Sequence, residues 1–340
     1  MPFDTVAGNP PEEAHRRRTA GSAFVIATRN RHEHLLETVK SLLGQTVLPA
    51  ELCIVDSSEE TPARAEIEQL SAEAGLRLDY VHPAARGLTI QRNLGIARTS
   101  GDPVFLVDDD VWMAPDVHEE VLAEYARWGP ELGGVRGMPI EPAIPSRLSV
   151  AWRKLFRLGG WWPEASGKMG PAFFAESVNA ASGVRRVEAF VGWFMSFRRE
   201  VFEHERFDEN LAGYAFREDS DFSYRVHKRG YVLVQTPKAR IRHLKTAAER
   251  LSPYELQRMT LGNLFYLHRK NLPQTPRYRA ALWWALLGML VLNAGKAVET
   301  RDRGYVTGLL VGAWEQARGR GLVDPADDAR ERNPASAAGA

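Results

Sequence analysis

The sequence Phe105-Leu106-Val107-Asp108-Asp109-Asp110 joins a run of apolar residues directly to three consecutive carboxylates. Such an apolar run is typical of a buried strand in a parallel sheet, and ligand sites in open α/β sheets lie beyond the carboxyl ends of the strands. Adjacent carboxylates repel each other unless a cation, solvent or protonation relieves the repulsion. Because oxygen ligands suit Mg²⁺ or Mn²⁺, which often bridge to substrate phosphates, the segment predicts a divalent metal that holds a phosphorylated substrate. A solvated acidic turn is the alternative.

Strands and helices alternate upstream of this segment. Apolar strands are expected over residues 23–27, 51–55 and 77–81, and residues 33–43 and 62–74 show the spacing of helices. This alternation predicts an α/β fold with a Rossmann-like, mostly parallel central sheet flanked by helices. The polar residues that follow each strand should therefore meet along one edge of the sheet, where a nucleotide would bind.

Composition divides the chain into several parts. Flexible tails are expected over residues 1–20 and 323–340, and the α/β domain over 21–250. Within that domain, residues 139–185 are rich in proline, glycine and tryptophan and form an irregular insert. Residues 251–322 are predicted to form a C-terminal helical region.

The overall composition excludes several classes of protein. The net charge is +1, so no global positive field indicates nucleic-acid binding. The single cysteine, Cys53, excludes an intramolecular disulfide framework and a cysteine-rich zinc site. No long apolar stretch closely follows Arg16-Arg17-Arg18, so no secretory signal is recognised and a cytoplasmic location is expected.

Residues 280–295 form an uncharged segment rich in leucine and tryptophan. The segment is a little shorter than the roughly 20 apolar residues that a transmembrane helix needs. Arg277, Arg279 and Lys296 flank it, a pattern that fits a helix lying on a membrane surface. A buried helix or a helix at a dimer interface is the alternative.

Polar residues that could bind a nucleotide follow the first two strands or precede the acidic one. An acid at the end of the second strand often holds a nucleotide's ribose or base, and arginine suits phosphate. The candidates are Thr28, Arg29, Asn30, Asp56, Arg86, Arg92 and Asn93.

A second acidic cluster, Glu218-Asp219-Ser220-Asp221, should open a helix, where the free N–H groups favour negative charge. Asp221 and Arg225 are four residues apart and are expected to pair on one helix face. That pairing does not explain the adjacent acids Glu218 and Asp219, one of which could act as a general base.

Taken in order, these motifs resemble those of family 2 glycosyltransferases of the inverting, GT-A-fold type. The resemblance extends over about residues 23–243, and it depends on the order and spacing of short motifs. These motifs are residues 25–31, 42–46, 54–58, 92–97, 105–110 and 218–219, followed by Arg225.

The resemblance implies a role for each matched residue. Asp108 and Asp110 correspond to the ends of the D-x-D motif, which meets the donor ribose and the metal, and His243 corresponds to a late histidine near the metal. Asp219 corresponds to the catalytic base, and Asp56 to the acid that contacts the nucleotide base. The predicted donor-binding residues are Thr28, Arg29, Asn30, Asp56, Arg86, Arg92, Asn93, Asp108 and Asp109.

The acceptor is predicted to meet the insert over residues 139–185 and the far side of the site. The candidate residues are Trp161, Trp193 and Glu218. The two tryptophans are candidates because aromatic rings stack on sugars. A glycan or a polyprenyl-linked acceptor is expected, in bacterial cell-surface glycan or glycolipid synthesis. The protein would be cytoplasmic or peripheral on the inner face of the cell membrane, with a homodimer left open.

The implied reaction transfers a sugar from a UDP-, dTDP- or GDP-linked donor to a hydroxyl, with Mg²⁺ or Mn²⁺ as cofactor and inversion at the anomeric carbon. A sugar-phosphate nucleotidyltransferase and a non-catalytic nucleotide-sugar-binding protein are the alternatives. The former would want a glycine-rich phosphate loop, whereas Thr28-Arg29-Asn30-Arg31 contains no glycine. A phosphatase with an aspartyl nucleophile is disfavoured because Trp112 stands where that class has threonine or valine.

Overall fold

Strands and helices alternate through the first half of the chain, as the apolar pattern predicts. The computed structural model describes residues 18–319 apart from 143, 163–164, 179–182, 212 and 245–250. The elements of the first half are β1 (Arg18–Thr28), α1 (His32–Leu43), β2 (Val47–Asp56), α2 (Arg64–Glu73), β3 (Arg77–Val81), α3 (Leu88–Arg98), β4 (Val104–Asp108), β5 (Val111–Met113), α4 (Val117–Trp128) and β6 (Leu132–Pro139).

The second half contains short strands and then long helices. Its elements are α5 (Arg147–Leu155), β7 (Gly160–Trp161), β8 (Glu176–Ser177), β9 (Arg185–Val187), β10 (Phe194–Phe197), α6 (Val201–His204), α7 (Glu218–Lys228), β11 (Val232–His243), α8 (Pro253–Asn271), α9 (Pro276–Thr300) and α10 (Gly304–Ala317). The predicted insert therefore contains a helix and short strands, and the predicted C-terminal region is helical.

One sheet organises the described residues, with strand order β3-β2-β1-β4-β10-β6-β11-β5 and β9 paired to β11. Strands β1 to β4 are parallel, and β10 lies antiparallel between β4 and β6. Since β11 is parallel to β6, its carboxyl end lies at the same edge as the ends of β1, β2 and β4. This edge carries the acids that the sequence analysis singled out.

Apolar side chains cover both faces of the sheet. Phe24 and Phe105 face one side and stack with ring centroids 4.3 Å apart, whereas Val25 and Leu106 face the other. A Cβ atom on Gly95 of α3 would overlap the Val25 side chain, so only glycine lets this helix lie close to the sheet. The sheet is a rigid support for the loops at its carboxyl edge.

His118 of α4 is fully buried beneath the sheet. Its Nε2 lies 2.7 Å from Ser22 Oγ and its Nδ1 lies 2.7 Å from the Val47 carbonyl oxygen. Burial lowers the pKa of His118 to about 4. Because the unfolded imidazole takes up a proton near pH 6.5, the unfolded state binds more protons between these two pH values, and stability must fall as the pH falls through that window.

We expect the free energy of unfolding to fall by about 3 kcal/mol more in the wild type than in His118→Gln between about pH 6.5 and pH 4. The variant will be less stable at neutral pH because it disturbs buried hydrogen bonds, but its pH dependence will be flatter. Urea unfolding curves at several pH values measure the difference. Equal slopes for the two proteins would contradict a buried neutral histidine.

The insert packs against the C-terminal helices. Phe156 and Phe173 share an apolar cluster with Leu264 of α8 and with Leu282 and Leu286 of α9. The predicted boundaries differ in one respect, since β1 begins at residue 18 and includes the last three residues of the tail predicted over 1–20. The strand extends there because residues 18–20 pair with residues 47–49 of β2. Residues 1–17 and the tail predicted over 323–340 lie outside the described residues.

Candidate active site

The buried part of the acidic triplet is held by the loop after β1. Asp109 accepts hydrogen bonds from Thr28 Oγ1 at 2.7 Å and from Arg31 Nη1 at 3.0 Å. The same Arg31 nitrogen lies 3.1 Å from Asp110 Oδ2. Burial raises the pKa of Asp109 to about 7, although the positive charge of Arg31 opposes this shift. Asp109 therefore ties β1 to β4, and its predicted contact with the donor stays a prediction.

Asp108, Asp110 and His243 form a cluster in which one possible ligand atom from each lies within 4.8 Å of the others. Asp110 Oδ1 is buried, lacks a hydrogen bond of good geometry within the described residues, and lies 2.9 Å from His243 Nε2. Burial disfavours the ionised form of Asp110, but His243 and Arg31 outweigh it and hold the pKa of Asp110 below its ordinary value. Two carboxylates and one imidazole suit Mn²⁺ or Mg²⁺ that keeps water and substrate oxygens as further ligands.

The pairing of β11 with β5 brings His243 to this cluster. His243 pairs with Val111, which directly follows the acidic triplet. The Trp193 ring stacks on the His243 imidazole with centroids 5.1 Å apart, and the Trp193 carbonyl oxygen accepts a hydrogen bond from the Asp108 N–H at 3.0 Å. Trp193 is thus beside the predicted metal position.

Arg92 connects the metal cluster to the second acidic pair. It is 3% exposed, its Nη2 donates to Asp108 Oδ1 at 2.8 Å, and its Nη1 donates to Glu218 Oε1. A buried arginine usually requires acidic hydrogen-bond partners, and Asp108 and Glu218 are the partners of Arg92. Asn93, beside it in sequence, bonds through its amide to the backbone of Phe207, and those contacts favour a structural position for Asn93.

Glu218 and Asp219 open α7, as the sequence predicts. Burial raises the pKa of Glu218 to about 8, against the attraction of Arg92. Asp219 is half-buried and accepts hydrogen bonds from the Gly192 N–H at 2.5 Å and the Ser220 N–H at 2.6 Å. Burial also raises the pKa of Asp219, while these two N–H groups oppose the shift. A half-buried carboxylate with a raised pKa is suited to accept a proton.

The pair predicted between Asp221 and Arg225 is confirmed, with Arg225 Nε 3.1 Å from Asp221 Oδ2. Lys270 of α8 also contacts Asp221 at 2.8 Å. This cluster therefore fixes α7 against α8 and lies apart from the chemistry.

The end of β2 carries the other predicted donor residues. Asp56 is fully buried and accepts hydrogen bonds from the Ser58 backbone N–H at 2.9 Å and from the Tyr80 hydroxyl at 2.5 Å. The Asn30 N–H donates to Ser58 Oγ at 2.7 Å, so the loops after β1 and β2 are joined.

Two of the predicted donor-binding arginines lie at the rim of this edge. Arg29 lies 3.6 Å and Arg86 lies 2.9 Å from the same oxygen of exposed Glu59. Surface pairs of this kind are weak, so both arginines are free to exchange Glu59 for an anionic ligand.

The sequence analysis did not single out Arg31, Tyr80 or Arg136 as site residues. Arg136 lies in the apolar strand β6, and its guanidinium carbon is 4.8 Å from the ring centroid of Trp161, the predicted acceptor residue. A charged residue inside an apolar strand was a signal that could have identified Arg136.

A comparison with protein families matches residues 23–165 to the model described as glycosyl transferase family 2. The uncharacterized glycosyltransferase YwdF of Bacillus subtilis (strain 168) is 34% identical over 105 residues, which are 30% of this chain and 37% of that protein. The glucosyl-dolichyl phosphate glucuronosyltransferase of Haloferax volcanii is 35% identical over 99 residues, which are 28% of this chain and 30% of that protein. The matches thus span about a third of these relatives.

Solved glycosyltransferase structures share the fold. The mannosyltransferase PcManGT from Pyrobaculum calidifontis, in complex with GDP-Man and Mn²⁺, has a TM-score of 0.54 at 15% identity, over 93% of this chain and 90% of that one. GalNAc-T7 with UDP, GalNAc and Mn²⁺ has a TM-score of 0.52 at 18% identity, over 68% of this chain and 45% of that one. These likenesses show the GT-A fold, and the segment that is similar to glycosyl transferase family 2 carries Asp56 and the acidic triplet.

Proposed function

We propose that the protein is an inverting glycosyltransferase that moves a sugar from a nucleotide-diphosphate donor to a hydroxyl acceptor. The observation that carries the proposal is the link through buried Arg92, which joins the cluster of Asp108, Asp110 and His243 to Glu218 beside Asp219. One edge of the sheet thus offers a metal position and a candidate base. The complexes of the structural neighbours with GDP-Man or UDP and Mn²⁺ support a nucleotide donor and a divalent metal.

In the proposed reaction, Asp108, Asp110 and His243 hold the metal, which when bound neutralises charge developing on the leaving diphosphate. Asp219 accepts the proton of the acceptor hydroxyl as that oxygen attacks the anomeric carbon. Attack on the face opposite the leaving group inverts the configuration, through a transition state of oxocarbenium character. Arg92 keeps Asp108 and Glu218 in place, and so fixes the separation between the donor and acceptor sides.

The donor can be identified by thermal unfolding with UDP-, dTDP- and GDP-linked sugars in the presence and absence of Mn²⁺. We expect the sugars linked to one of the three nucleotides to stabilise the protein, and only when the metal is present. A ligand at 100 times its Kd adds about 2.7 kcal/mol to the free energy of unfolding. The same donor should then be hydrolysed slowly to the nucleoside diphosphate. Mn²⁺ alone and each nucleotide without its sugar are the controls. Absence of both stabilisation and donor hydrolysis across the panel would contradict the proposed function.

We further propose that the protein works at the inner face of the cell membrane on a glycan or lipid-linked acceptor. Apart from Tyr214, the exposed large apolar side chains of the described residues lie in two segments, residues 144–155 and 283–314. These segments adjoin, since Trp284 Nε1 donates to the Leu155 carbonyl oxygen at 2.7 Å. The basic residues Arg277, Arg279 and Lys296, which flank the apolar stretch of α9, fit an anionic lipid surface.

Helix α9 is the one helix in the described residues that is long and apolar enough to cross a membrane by length and composition. Its residues Leu282, Leu286 and Met289 are nevertheless buried within the protein, whereas Trp283 and Leu287 on another face are exposed. One buried face and one exposed apolar face favour a helix that lies on the membrane surface.

Wild-type protein is expected to sediment with vesicles that contain anionic lipid, whereas the double variant Trp283→Glu/Leu287→Glu should stay in the supernatant. The matched control is Ala123→Glu/Ala126→Glu, which adds the same charge to the exposed face of α4 and should not change sedimentation. Equal sedimentation of all three proteins, or a wild-type dimer that buries this face and ignores lipid, would contradict membrane contact.

A further inference from the structure

Two arginines beside Asp219, fully buried Arg136 and half-buried Arg217, have buried donor nitrogens without partners among the described residues. Arg136 is 1% exposed, and its Nη1 donates to Ser177 Oγ at 3.3 Å. Its Nε and Nη2 have no hydrogen-bond partner within the described part of the chain. Arg217, which precedes α7, donates through Nη1 to the Phe173 carbonyl oxygen at 2.9 Å, and its buried Nε likewise lacks a partner among the described residues. Together the two guanidinium groups have three buried nitrogen atoms without partners among the described residues.

Both arginines border the proposed base. Arg217 is two residues before Asp219, and Arg136 lies against Gly192, whose N–H donates to Asp219. A Cβ atom on Gly192 would stand 2.9 Å from Arg136 Nη2, so glycine at this position lets the guanidinium approach the backbone that donates to Asp219. Burial lowers the pKa of both guanidinium groups to about 10, with Asp219 opposing the shift, and both therefore remain charged at neutral pH.

Aromatic rings hold these two cations without using their N–H groups. The guanidinium carbon of Arg136 lies 4.8 Å from the ring centroid of Trp161, and that of Arg217 lies 4.2 Å from the centroid of Phe174. Cation–π contacts of this kind engage the flat face of the guanidinium and leave its edge for hydrogen bonds. Trp161 and Phe174 belong to the insert over residues 139–185, so the unused edges lie on the insert side of Asp219.

Fully buried Arg92 and half-buried Arg199, in contrast, have partners that the fold supplies. Arg92 pairs with two carboxylates, and Arg199 donates to the carbonyl oxygens of Gly101 and Ile96. A buried charge that lacks such partners is unfavourable in a folded protein. Arg136 and Arg217 therefore do not stabilise the fold through such hydrogen bonds.

We propose that Arg136 and Arg217 form a subsite for an oxyanion of the acceptor, a carboxylate or a phosphate, beside the hydroxyl that Asp219 deprotonates. This proposal rests on the proposed glycosyl transfer. A guanidinium edge binds both kinds of oxyanion through two parallel N–H groups, and the hydrogen bonds are strong because both partners are charged. Arg136 and Arg217 interact electrostatically with Asp219, whereas Arg92 is the arginine that contacts Asp108 of the metal cluster, and this favours the acceptor side for the oxyanion.

Thermal unfolding with paired probes tests the subsite in EDTA and without donor, so that the metal position contributes nothing. The pairs are citronellyl phosphate with citronellol, for a lipid phosphate, and methyl glucuronide with methyl glucoside, for a sugar acid. One anionic probe is expected to raise the melting temperature in a saturable way above its neutral partner, and the responding pair identifies the source of the oxyanion. The shift should vanish in Arg136→Met and in Arg217→Gln, and persist in the control Arg199→Gln.

The stability of the variants gives a second readout. Arg136→Met should unfold at the same or a higher temperature than the wild type, because it removes an uncompensated buried charge, whereas Arg199→Gln should unfold earlier. If Arg136→Met does not fold, Arg217→Gln carries the test alone. Equal shifts with anionic and neutral probes in the wild type, or anionic shifts that survive in every folded variant, would overturn the subsite. Failure of the proposed function has a different signature, since the wild type would then bind no nucleotide sugar with Mn²⁺.

Discussion

Asp219→Asn is expected to slow sugar transfer by about 10² to 10⁴-fold, which is the range that a positioned general base contributes. The asparagine keeps one oxygen that can accept from Gly192 or Ser220, so the start of α7 should stay in place. Metal-dependent stabilisation by the donor should be unchanged, since Asp219 does not belong to the metal cluster. Initial transfer rates together with donor-induced melting shifts measure the two effects separately.

Glu218→Gln is the matched comparison for this base. Glu218 is hydrogen-bonded to buried Arg92, so its replacement should lower the melting temperature as well as the rate, most strongly above pH 8, where Glu218 is ionised and its loss leaves Arg92 partly uncompensated. Asp219→Asn should not lower the melting temperature in this way. If Glu218→Gln abolished transfer while Asp219→Asn kept near wild-type turnover, the assignment of the base to Asp219 would be wrong.

The pH dependence follows from the same environment. Burial raises the pKa of Asp219, and a base must be ionised to accept a proton. The midpoint of the loss of activity at acid pH should therefore lie above 3.8, the ordinary pKa of aspartate.

The second large effect is expected for Asp110→Asn, which removes the negative charge of the buried carboxylate that faces His243. We expect a loss of roughly 10²-fold or more in transfer, because metal stabilisation of a leaving group is worth several kcal/mol. Stabilisation of the protein by Mn²⁺ with the donor should be lost in parallel. Calorimetric titration with Mn²⁺ in the presence of the nucleotide measures the binding directly.

Asp116→Asn is a suitable control for the metal prediction. Asp116 also loses a carboxylate in this variant, but it lies on the surface and pairs with Arg240, 3.2 Å away. Its rate and Mn²⁺ response should match those of the wild type. Unchanged activity and unchanged Mn²⁺ binding in Asp110→Asn would remove the metal role of the cluster.

The elements nearest to the acidic triplet were predictable from the sequence. Apolar periodicity predicted β1, β2 and β3 and the intervening helices, and the spacing of Asp221 and Arg225 predicted their contact. These features depend on neighbours within one element, which a local pattern reports directly. Cys53 of β2 is fully buried, and burial raises the pKa of its thiol to about 12.

The predicted site residues lie along one edge of the sheet, but their partners were not predictable. The resemblance to the family supplied Asp108, Asp110, Asp219 and His243, and no local pattern placed His243 near the acids. The loop residue Arg31 binds two of the acids, and nothing in its immediate sequence distinguishes it from Arg29, which lies on the surface.

The sequence by itself determined which segments are buried, which are polar, and that acids end the fourth strand. Only the tertiary structure decided that β10 enters antiparallel beside β4, that β11 returns to pair with β5 and carries His243 to Asp110, and that Arg92 bridges two acidic pairs. It also decided that Arg136 keeps unused donors next to the base. The periodicity of apolar residues shows which face of each element is buried, because it depends only on neighbours in sequence. The choice of neighbouring strands and the formation of buried ion pairs depend on contacts between residues far apart in the chain, and these contacts form only when the whole sheet packs.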